Sequence, residues 1–473
     1  MEKEIKKEDL LGHKFEYVQD KISEDEKTLT VEIAEEYKRF IDEGKTEREC
    51  CQYIERLARE NGFSNIDDLI KENVELQPGM KVYGNNRDKS IILFIIGEDS
   101  IESGMKIVGG HIDSPRIDLK PTPLYEDSGM AYFKTHYYGG IRKYQWASLP
   151  LSIHGVIINE KGEKISISIG EEACDPIFFI SDLLPHLAKD QNKKSLAEGI
   201  EGEGLNLIVG NTMSDDKEAK ERFKLKVLEI LNEKYNVTEE DFMTAELEIV
   251  PAGKARDAGF DRSMIVGYGH DDRSCSFAGM KAILDIEGTP KKTVVGMFMD
   301  KEEVGSMGNT GSESKYFENM VAELMNLQMD NYKDLYVRRA FMNTKVLSAD
   351  VGAAYDPNYA SAYDKRNSPF MGKGIVLVKY TGARGKSGCN DANAEFVHEV
   401  RDIFNRHDVI WQTGELGKVD QGGGGTIAYI LANAGADVID CGIPVISMHA
   451  PYEMISKADL YMTYKGYKAF LID

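Results

Sequence analysis

Two adjacent glutamates, Glu302 and Glu303, follow an apolar run in the sequence MFMDKEEVGSMG, residues 297–308. Successive side chains along a strand point to opposite sides, so the two carboxylates can have different roles. One can bind a metal ion while its neighbour stays free as a general base that activates water. The alternative is a solvated loop, because a Glu-Glu pair is common at protein surfaces.

Other apolar runs also end in residues that bind metal ions. GMKIVGGHIDS ends with His111 and Asp113, TKVLSADVG contains Asp350 near its end, and GIPVISMH ends in His449. Ligands of doubly wound sheets bind at the carboxyl ends of strands, so we expect these side chains to meet at one edge of a sheet. Asp113 can accept the second imidazole N–H of His111; a turn-capping aspartate before Ser-Pro is the alternative.

Asp271 and Asp272, in GYGHDDRSC, add two carboxylates just ahead of a predicted helix. Carboxylates that cluster repel one another, and a bound dication removes that repulsion. Histidine and carboxylate ligands without sulfur suit zinc, cobalt or manganese, and the six cysteines show no CxxC spacing. Two histidines and three carboxylates are what two metal ions with one bridging carboxylate require, and such a pair activates a water.

The elements that must position these residues alternate between strands and helices. Continuous apolar runs such as SIILFIIG, KKTVVGMFMD and ADVIDCGIPVISMH predict strands buried on both faces. Helical spacing recurs in SEDEKTLTVEIAEEYKRFIDEG, TERECCQYIERLARENG, DDRSCSFAGMKAILDI and GTIAYILANAGA. We therefore predict an α/β fold with a mostly parallel sheet that carries helices on both faces.

Residues 116–250 interrupt this pattern with alternating aromatic and polar residues. GVIINEKGEKISISIG predicts a hairpin, and DDKEAKERFKLKVLEILNEKY, residues 215–235, predicts a charged helix. We predict that 116–250 form an inserted, mainly β domain and that 1–115 plus 251–473 form the other domain. The run YFKTHYYGGIRKYQW is assigned to the core and interface of the insert, and His154 has no partner that the sequence identifies.

Composition restricts the partners of this chain of 473 residues. Its net charge of -22 argues against nucleic acid and anionic membranes, which would repel it. We find no stretch of ~18 apolar residues that would span a membrane and no apolar core of a signal peptide at the start. The expected location is the cytoplasm. The sequence QGGGGT is not a P-loop, because no Gly-Lys followed by Ser or Thr has the required spacing.

Five motifs, GGHIDSPR, DDRSC, DKEEVGS, SADVG and ISMHAPYE, occur in an order that resembles the aspartyl aminopeptidase family of dizinc exopeptidases. The resemblance covers nearly the whole chain, including LLPHLA in the insert. It implies a dizinc exopeptidase fold, a dimer-building insert and a homo-oligomer of twelve subunits. It also implies a metalloaminopeptidase that removes single N-terminal residues from short peptides, with zinc as the expected metal.

The resemblance implies a role for individual residues as well. Its metal ligands are His111 and Asp350 for one ion, Glu303 and His449 for the other, and Asp271 as the bridge. Glu302 becomes the general base and Asp113 the residue that orients His111. His186, in LLPHLA, reaches a neighbouring subunit's active site and binds the substrate or the developing oxyanion; the alternative is a packed core histidine. Asp272 occupies an asparagine-like position or caps DRSC.

Two segments depart from the family pattern. Relatives with acidic specificity carry a lysine in the strand GKGIVLVKY at or next to Val378, where this chain has Lys379 one residue later. A shift of one residue on a strand points a side chain to the other face. Lys379 is therefore a candidate substrate-binding residue whose direction decides acidic preference. Gly423 and Gly424, within the run 422–425, either let the backbone approach a substrate or form a flexible helix entry.

The sequence leaves two rival functions beside the aminopeptidase. A related dimetal amidase or deacylase would use the same ligands on a non-peptide amide, and only the recognition of a free ammonium group separates the two. A catalytically silent assembly or scaffold protein is the other rival. The complete set of five ligands with Glu302 favours an enzyme, because clustered carboxylates without a function would only destabilise the fold.

Overall fold

The computed structural model describes residues 11–12 and 14–473, which form three sheets and their covering helices. Residues 1–10 and 13 of the predicted first segment lie outside the described residues. The strands are, in chain order, β1 (Ser64–Asn65), β2 (Lys81–Asn86), β3 (Ser90–Ile95), β4 (Lys106–His111), β5 (Arg116–Asp127), β6 (Met130–Tyr138), β7 (Leu151–Ile158), β8 (Lys164–Ile169), β9 (Leu207–Gly210), β10 (Glu246–Pro251), β11 (Arg256–Ala258), β12 (Met264–Gly267), β13 (Val294–Met299), β14 (Lys345–Ser348), β15 (Gly352–Ala353), β16 (Ile375–Val378), β17 (Trp411–Thr413), β18 (Asp437–Gly442), β19 (Pro444–Ile446) and β20 (Glu453–Ser456). The α-helices are α1 (Glu24–Glu43), α2 (Glu47–Glu60), α3 (Ile66–Glu72), α4 (Arg222–Tyr235), α5 (His270–Leu284), α6 (Tyr316–Gln328), α7 (Asp334–Met342), α8 (Ala394–Arg406), α9 (Ala428–Asn433) and α10 (Lys457–Ile472).

The largest sheet has nine strands in the order β1-β2-β3-β13-β4-β14-β18-β16-β17. The four central strands β13, β4, β14 and β18 run parallel to one another, and β1–β2 and β16–β17 are also parallel pairs. Antiparallel pairs occur at β2–β3, β3–β13 and β16–β18. The prediction of an α/β fold with a mostly parallel sheet is confirmed, and the parallel centre brings the carboxyl ends of β13, β4 and β14 side by side.

Strand β3 shows why the apolar runs are continuous. All its residues are buried, and Ile91, Leu93 and Ile95 pack in one hydrophobic cluster while Ile92 and Phe94 pack in another. The first cluster contains residues of α1, α2, α5, α8 and α10, and the second contains residues of α3, α6, α7 and α9. Both faces of the sheet are thus covered by helices, which requires apolar side chains at successive strand positions.

The second sheet is antiparallel, with the order β8-β7-β10-β5-β6-β9, and all its strands lie within the segment from β5 to β10. The predicted hairpin is present, with Ile158 opposite Lys164. The predicted helix 215–235 is too long, because α4 begins at Arg222. The Glu126 carboxylate accepts the N–H groups of Phe223 and Lys224 and so fixes the start of the helix there.

A third, smaller sheet, β11-β12-β20-β19-β15, was not predicted. The prediction that ADVIDCGIPVISMH forms a single strand is wrong, because β18 belongs to the nine-strand sheet and β19 belongs to the small one. At Gly442 a Cβ would lie 2.0 Å from the Asp350 carbonyl oxygen, so the chain leaves the large sheet at a position that only glycine tolerates. The helix predicted over GTIAYILANAGA is shorter in the structure, where α9 spans only Ala428–Asn433. Among the described residues, no helix has the length and apolar character of a membrane span.

A buried histidine joins the inserted sheet to helix α2. His154, on β7, places Nδ1 2.8 Å from Glu49 Oε1 of α2 and Nε2 3.1 Å from Glu171 Oε1. Burial lowers the pKa of His154, but the hydrogen bonds to Glu171 and Glu49 outweigh burial and raise it. A protonated His154 therefore links two carboxylates across the junction.

We expect His154→Gln to lower the free energy of unfolding by about 1–3 kcal/mol, because two carboxylates lose their cationic partner. The folded-state pKa of His154 is raised, so its contribution is complete below the unfolded value of about 6.5 and is lost as the pH rises through the folded value. Urea unfolding of both proteins over a series of pH values should show the difference shrinking toward alkaline pH. His398→Gln, at the surface beside Arg401, is the control; a difference that does not change with pH would contradict the assignment.

Candidate metal centre

Asp271 lies between two histidines at the edge of the nine-strand sheet. Its Oδ1 is 3.3 Å from His111 Nε2, and its Oδ2 is 3.2 Å from His449 Nε2. The carboxylate is almost fully buried, with 3% exposure. Each oxygen thus faces one histidine, which is the arrangement that a carboxylate bridging two metal ions needs.

Further carboxylates flank each histidine. Glu303 Oε2 lies 3.6 Å from His449 Nε2, and Glu302 Oε2 lies 3.8 Å from His111 Nε2. Two groups of ligand atoms lie within 4.8 Å of one another: His111, Asp272 and Asp350 form one, and His111, Asp271 and Glu303 form the other. The structure therefore brings together all the metal-ligand candidates that the sequence identified, with Glu302 beside them.

Three neighbouring parallel strands deliver most of these groups. His111 is the last residue of β4 and pairs with Met299, the last residue of β13, so Glu303 follows on the adjacent strand end. Asp350 follows β14 on the other side. Lys301 adopts a left-handed φ of 68° just before the two glutamates, which turns the chain away from the strand direction. These side chains lie close together because the carboxyl ends of neighbouring parallel strands meet at one edge of the sheet.

His449 and Asp271 enter from outside the nine-strand sheet. Asp271 stands at the start of α5, where its backbone is not helical, and His449 follows β19 of the small sheet with a left-handed φ of 64°. The expectation that His449 ends a strand of the large sheet is wrong. Glu453 ties the two ligands together, because its carboxylate accepts the N–H of Asp271 at 3.0 Å and of His449 at 2.7 Å. Burial raises the pKa of Glu453 to about 8.

Sequence reasoning missed Glu453 and also Gly140, whose carbonyl oxygen accepts the N–H of His449 Nδ1 at 2.9 Å. The glutamate was visible in the quoted motif ISMHAPYE, four residues after His449, but nothing local distinguished it from a surface residue. Gly140 belongs to the insert and carried no signal. The carbonyl contact leaves Nε2 of His449 as the nitrogen that faces Asp271 and is available to a metal.

Asp113 is fully buried and gathers four donors. Its Oδ1 accepts the Glu302 N–H at 3.1 Å, and its Oδ2 accepts the Glu303 N–H at 3.2 Å and the Tyr138 hydroxyl at 2.8 Å. His111 Nδ1 is 3.3 Å from Asp113 Oδ1 but only 2.9 Å from the backbone oxygen of Asp113. The imidazole is thus hydrogen-bonded to the backbone oxygen of Asp113, while the carboxylate, which the sequence predicted as the acceptor, is the more distant contact. The carboxylate holds the glutamate turn as well.

The electrostatics of the cluster fit a bound dication. Burial and the charge of Asp271 raise the pKa values of Glu303 and Asp350 well above their ordinary range, and burial raises the pKa of Glu302 to about 7. Among the described residues, Glu303 Oε1 is buried without a hydrogen-bond partner. A metal ion removes this repulsion and satisfies the free oxygen, and the imidazole and carboxylate donors suit zinc and similar ions.

The cluster opens into a cavity of about 460 Å³. Its wall includes the predicted glycines Gly423 and Gly424, together with Gly140, Asp271, Glu302, Glu303, Gly305, Ser306, Asp350, Val351, Gly352, Ala353, Pro369, Val378, Thr381, Gly414, Glu415, Leu416, Gly425, Thr426, Tyr429, Met448 and His449. Gly423 has a left-handed φ of 131°, and a Cβ there would lie 2.6 Å from the Ala383 backbone. Close packing of two loops thus requires glycine at this position.

Val378, and not Lys379, lines the cavity. Lys379 points away and pairs with Asp391 at 3.1 Å, with about half of its side chain exposed. This placement argues against Lys379, which the sequence left as a candidate, as a substrate-binding residue. The physical reason is the period of two along β16, which sends successive side chains to opposite faces.

Two further candidates lie where the sequence left alternatives open. His186 is exposed in the segment between β8 and β9 and is not among the residues that line the cavity. It is therefore not a packed core histidine. Asp272 is fully buried, and its Oδ2 lies 3.4 Å from the His111 backbone nitrogen, beside Gly110. Its carboxyl group faces the metal centre.

Comparison with known proteins shows that the chain is similar to aminopeptidases of a zinc metalloprotease family. A family model described as "Aminopeptidase I zinc metalloprotease (M18)" matches residues 40–471. The chain is 54% identical over 439 residues to a probable M18 family aminopeptidase 1 of Clostridium acetobutylicum, with 93% of this chain and 94% of that protein covered. It also matches the crystal structure of an M18 family aminopeptidase from Thermotoga maritima, with a TM-score of 0.92, 44% identity and coverage of 97% and 99%.

A more distant solved structure, the mApe1 dodecamer of S. cerevisiae, has a TM-score of 0.74 at 22% identity, with 93% of this chain and 96% of that chain covered, and so shares the fold. The predicted resemblance to the aspartyl aminopeptidases and the predicted metalloaminopeptidase activity are confirmed by the family match and the bacterial relatives. The chain belongs to the aminopeptidase I zinc metalloprotease (M18) family.

Proposed function

We propose that this enzyme removes single N-terminal residues from short peptides with two zinc ions. His111 and Asp350 would hold one ion, Glu303 and His449 the other, and Asp271 would bridge them. The observation that carries the proposal is the position of Asp271, whose two oxygens each face a different histidine at 3.2–3.3 Å. A single ion at one histidine would leave the oxygen that faces the other histidine without a metal partner.

The residues around the cavity then divide the chemical work. Zinc held by these ligands would supply a Lewis acid for the first peptide carbonyl and would make a water more acidic. Glu302 takes a proton from the attacking water and returns it to the leaving amine. Its backbone N–H donates to Asp113, which keeps the carboxylate at a fixed position beside His111. Glu302 thus acts as general base and then as general acid.

The charge of the cavity favours a free N terminus. Among its lining residues, Glu302, Glu303 and Glu415 are acidic in addition to the two aspartates, and His449 is the one side chain there that can carry positive charge. Of these carboxylates, Glu302 and Glu415 are not among the proposed zinc ligands, so their charge can attract a substrate ammonium group, which an N-acylated substrate lacks. This supports an aminopeptidase over the amidase alternative.

We also propose that the enzyme prefers neutral N-terminal side chains over Asp and Glu. The position that a lysine would need for acidic recognition is held by Val378, and the neighbouring wall contains Val351, Leu416 and Met448. An acidic side chain placed there would lose its hydration without gaining a cationic partner. Lys379 cannot supply the charge because it pairs with Asp391 on the other face.

The assembly and the location are part of the proposal. We propose a homododecamer built from dimers through segment 116–250, with His186 reaching a neighbouring active site; the exposure of His186 and the shared fold with the yeast dodecamer support this. A closed shell would admit only short peptides.

The six cysteines are free thiols, as is usual in a reducing compartment, which supports the cytoplasm as the location of the enzyme.

The test is hydrolysis of aminoacyl substrates by protein that has been stripped with a chelator and reloaded with zinc, cobalt or manganese. We expect activity to vanish on stripping and to return with close to two ions per chain. Substrates with N-terminal Leu and Met should be cleaved more than about tenfold faster than those with Asp and Glu, because no lysine or arginine is among the residues that line the cavity. N-acetylated forms of the same substrates should not be cleaved.

Lys379→Ala is the matched control for specificity, since this lysine points away from the cavity and its loss should leave the Leu-to-Asp ratio unchanged. A panel in which Asp and Glu are cleaved fastest would contradict the assigned preference. Cleavage of acetylated substrates as fast as free ones would favour the amidase instead. Full activity with one bound ion would contradict the two-metal assignment.

A further inference from the structure

The inserted sheet reaches back into the metal centre through the end of β6. Tyr138, the last residue of β6, donates its hydroxyl to Asp113 Oδ2 at 2.8 Å. Two residues later, the Gly140 carbonyl accepts from His449 Nδ1 at 2.9 Å. A short segment of the insert therefore contacts both sides of the cluster, although none of its side chains is a metal ligand candidate.

Four groups contact Asp113, and among them the Tyr138 hydroxyl is the one that comes from the insert. The carboxylate also accepts the N–H groups of Glu302 and Glu303, and His111 Nδ1, which is bonded to the Asp113 backbone oxygen, lies 3.3 Å from Oδ1. All of these belong to the catalytic centre itself. With the hydroxyl present, both carboxylate oxygens of Asp113 are held in one orientation, and charge-assisted bonds of this kind are short and directional.

The ring of Tyr138 is itself held in place. Arg116, its cross-strand partner on β5, stacks its guanidinium 3.8 Å from the ring centroid. Arg116 is buried and pairs with Asp118 at 2.8 Å, with Glu248 at 3.1 Å and with Glu47 of α2 at 3.4 Å. Strands β5 and β10 and helix α2 thus fix the guanidinium, and the guanidinium fixes the phenol.

We propose that Tyr138 is a positioning residue for the metal centre, through which the inserted sheet sets the orientation of Asp113 and, through it, of His111 and the Glu302–Glu303 turn. The inference rests on the proposed two-metal function. It gives the insert a role in each subunit's own active site, independent of any contact between subunits.

The first test is Tyr138→Phe, which keeps the ring over Arg116 and removes only the hydroxyl. We expect kcat to fall about tenfold with KM within about twofold, and the affinity for zinc, titrated into metal-free protein by calorimetry, to fall about tenfold. Tyr132→Phe is the matched control, since this tyrosine lies on the same strand with its hydroxyl on the Met130 sulfur. The kcat and the zinc affinity of Tyr132→Phe should equal those of the wild type.

A double-mutant cycle separates positioning from a general structural effect. If Tyr138 acts through Asp113, then adding Tyr138→Phe to Asp113→Asn should cause no further loss of kcat or of zinc affinity. Additive losses would overturn the inference, and so would a Tyr138→Phe variant with wild-type kcat and zinc affinity. A wild type that binds no zinc would overturn the proposed function and this inference together, whereas the other outcomes concern Tyr138 alone.

Discussion

Glu302→Gln is expected to lower kcat by about 10²–10⁴-fold while the protein keeps its zinc and its affinity for substrate. The amide has nearly the shape of the carboxylate but cannot take a proton from water at neutral pH. The backbone N–H of residue 302 still donates to Asp113, so the turn is retained. The loss should therefore appear in kcat and not in KM.

Glu303→Gln is the matched comparison, because it makes the same change at the next residue. Glu303 faces His449 and has a buried oxygen without a hydrogen-bond partner among the described residues, so its amide should weaken metal binding. Steady-state kinetics and the zinc content after gel filtration distinguish the two variants. The assignment of the base fails if Glu302→Gln keeps wild-type kcat, or if it loses zinc as Glu303→Gln does.

Asp271→Asn is expected to lose both metal ions together. One carboxylate oxygen faces each histidine, and in the amide one of these oxygens becomes an NH₂ group that cannot bind a cation. We expect the zinc affinity of both positions to fall by more than about 100-fold, beyond the effect usual for groups outside the ligand set. Activity should fall with the metal content.

Asp272→Asn tests the competing group of His111, Asp272 and Asp350. An asparagine there can still accept the His111 N–H through its oxygen, so we expect less than about a tenfold change in zinc affinity. Zinc content, measured after dialysis at matched free zinc, and thermal unfolding compare the two variants. If Asp272→Asn loses its metal while Asp271→Asn keeps two ions, then Asp272 and not Asp271 would be the bridging residue.

Most of the residues of the candidate metal centre could be predicted because local rules place them. Apolar runs define buried strands, and the residues that follow β4, β13 and β14 meet because neighbouring parallel strands end at one edge. His111, Glu303 and Asp350 follow from this argument. The direction of Lys379 was also open to local reasoning, since a period of two separates it from Val378.

Other features depend on contacts between distant parts of the chain. His449 comes from a sheet that the sequence did not reveal, because Gly442 and Pro444 transfer the chain from one sheet to another. Glu453 is a surface-like glutamate in the sequence and becomes a buried acceptor only when β20 brings it beneath Asp271. Tyr138 was assigned to the core and interface of the insert, although its hydroxyl donates to Asp113, 25 residues earlier in the chain.

The sequence by itself determined the α/β class and identified the candidate metal ligands that the structure brings together, and its motifs carried the resemblance to the family. The reason is that strand periodicity, the ends of strands and the chemistry of imidazole and carboxylate groups are local properties. The tertiary structure decided which oxygen faces which histidine, how Glu453 and Asp113 hold the ligands, and how Tyr138 connects the insert to them. These contacts depend on how three sheets pack together, and side chains separated by tens to hundreds of residues meet only after that packing is complete.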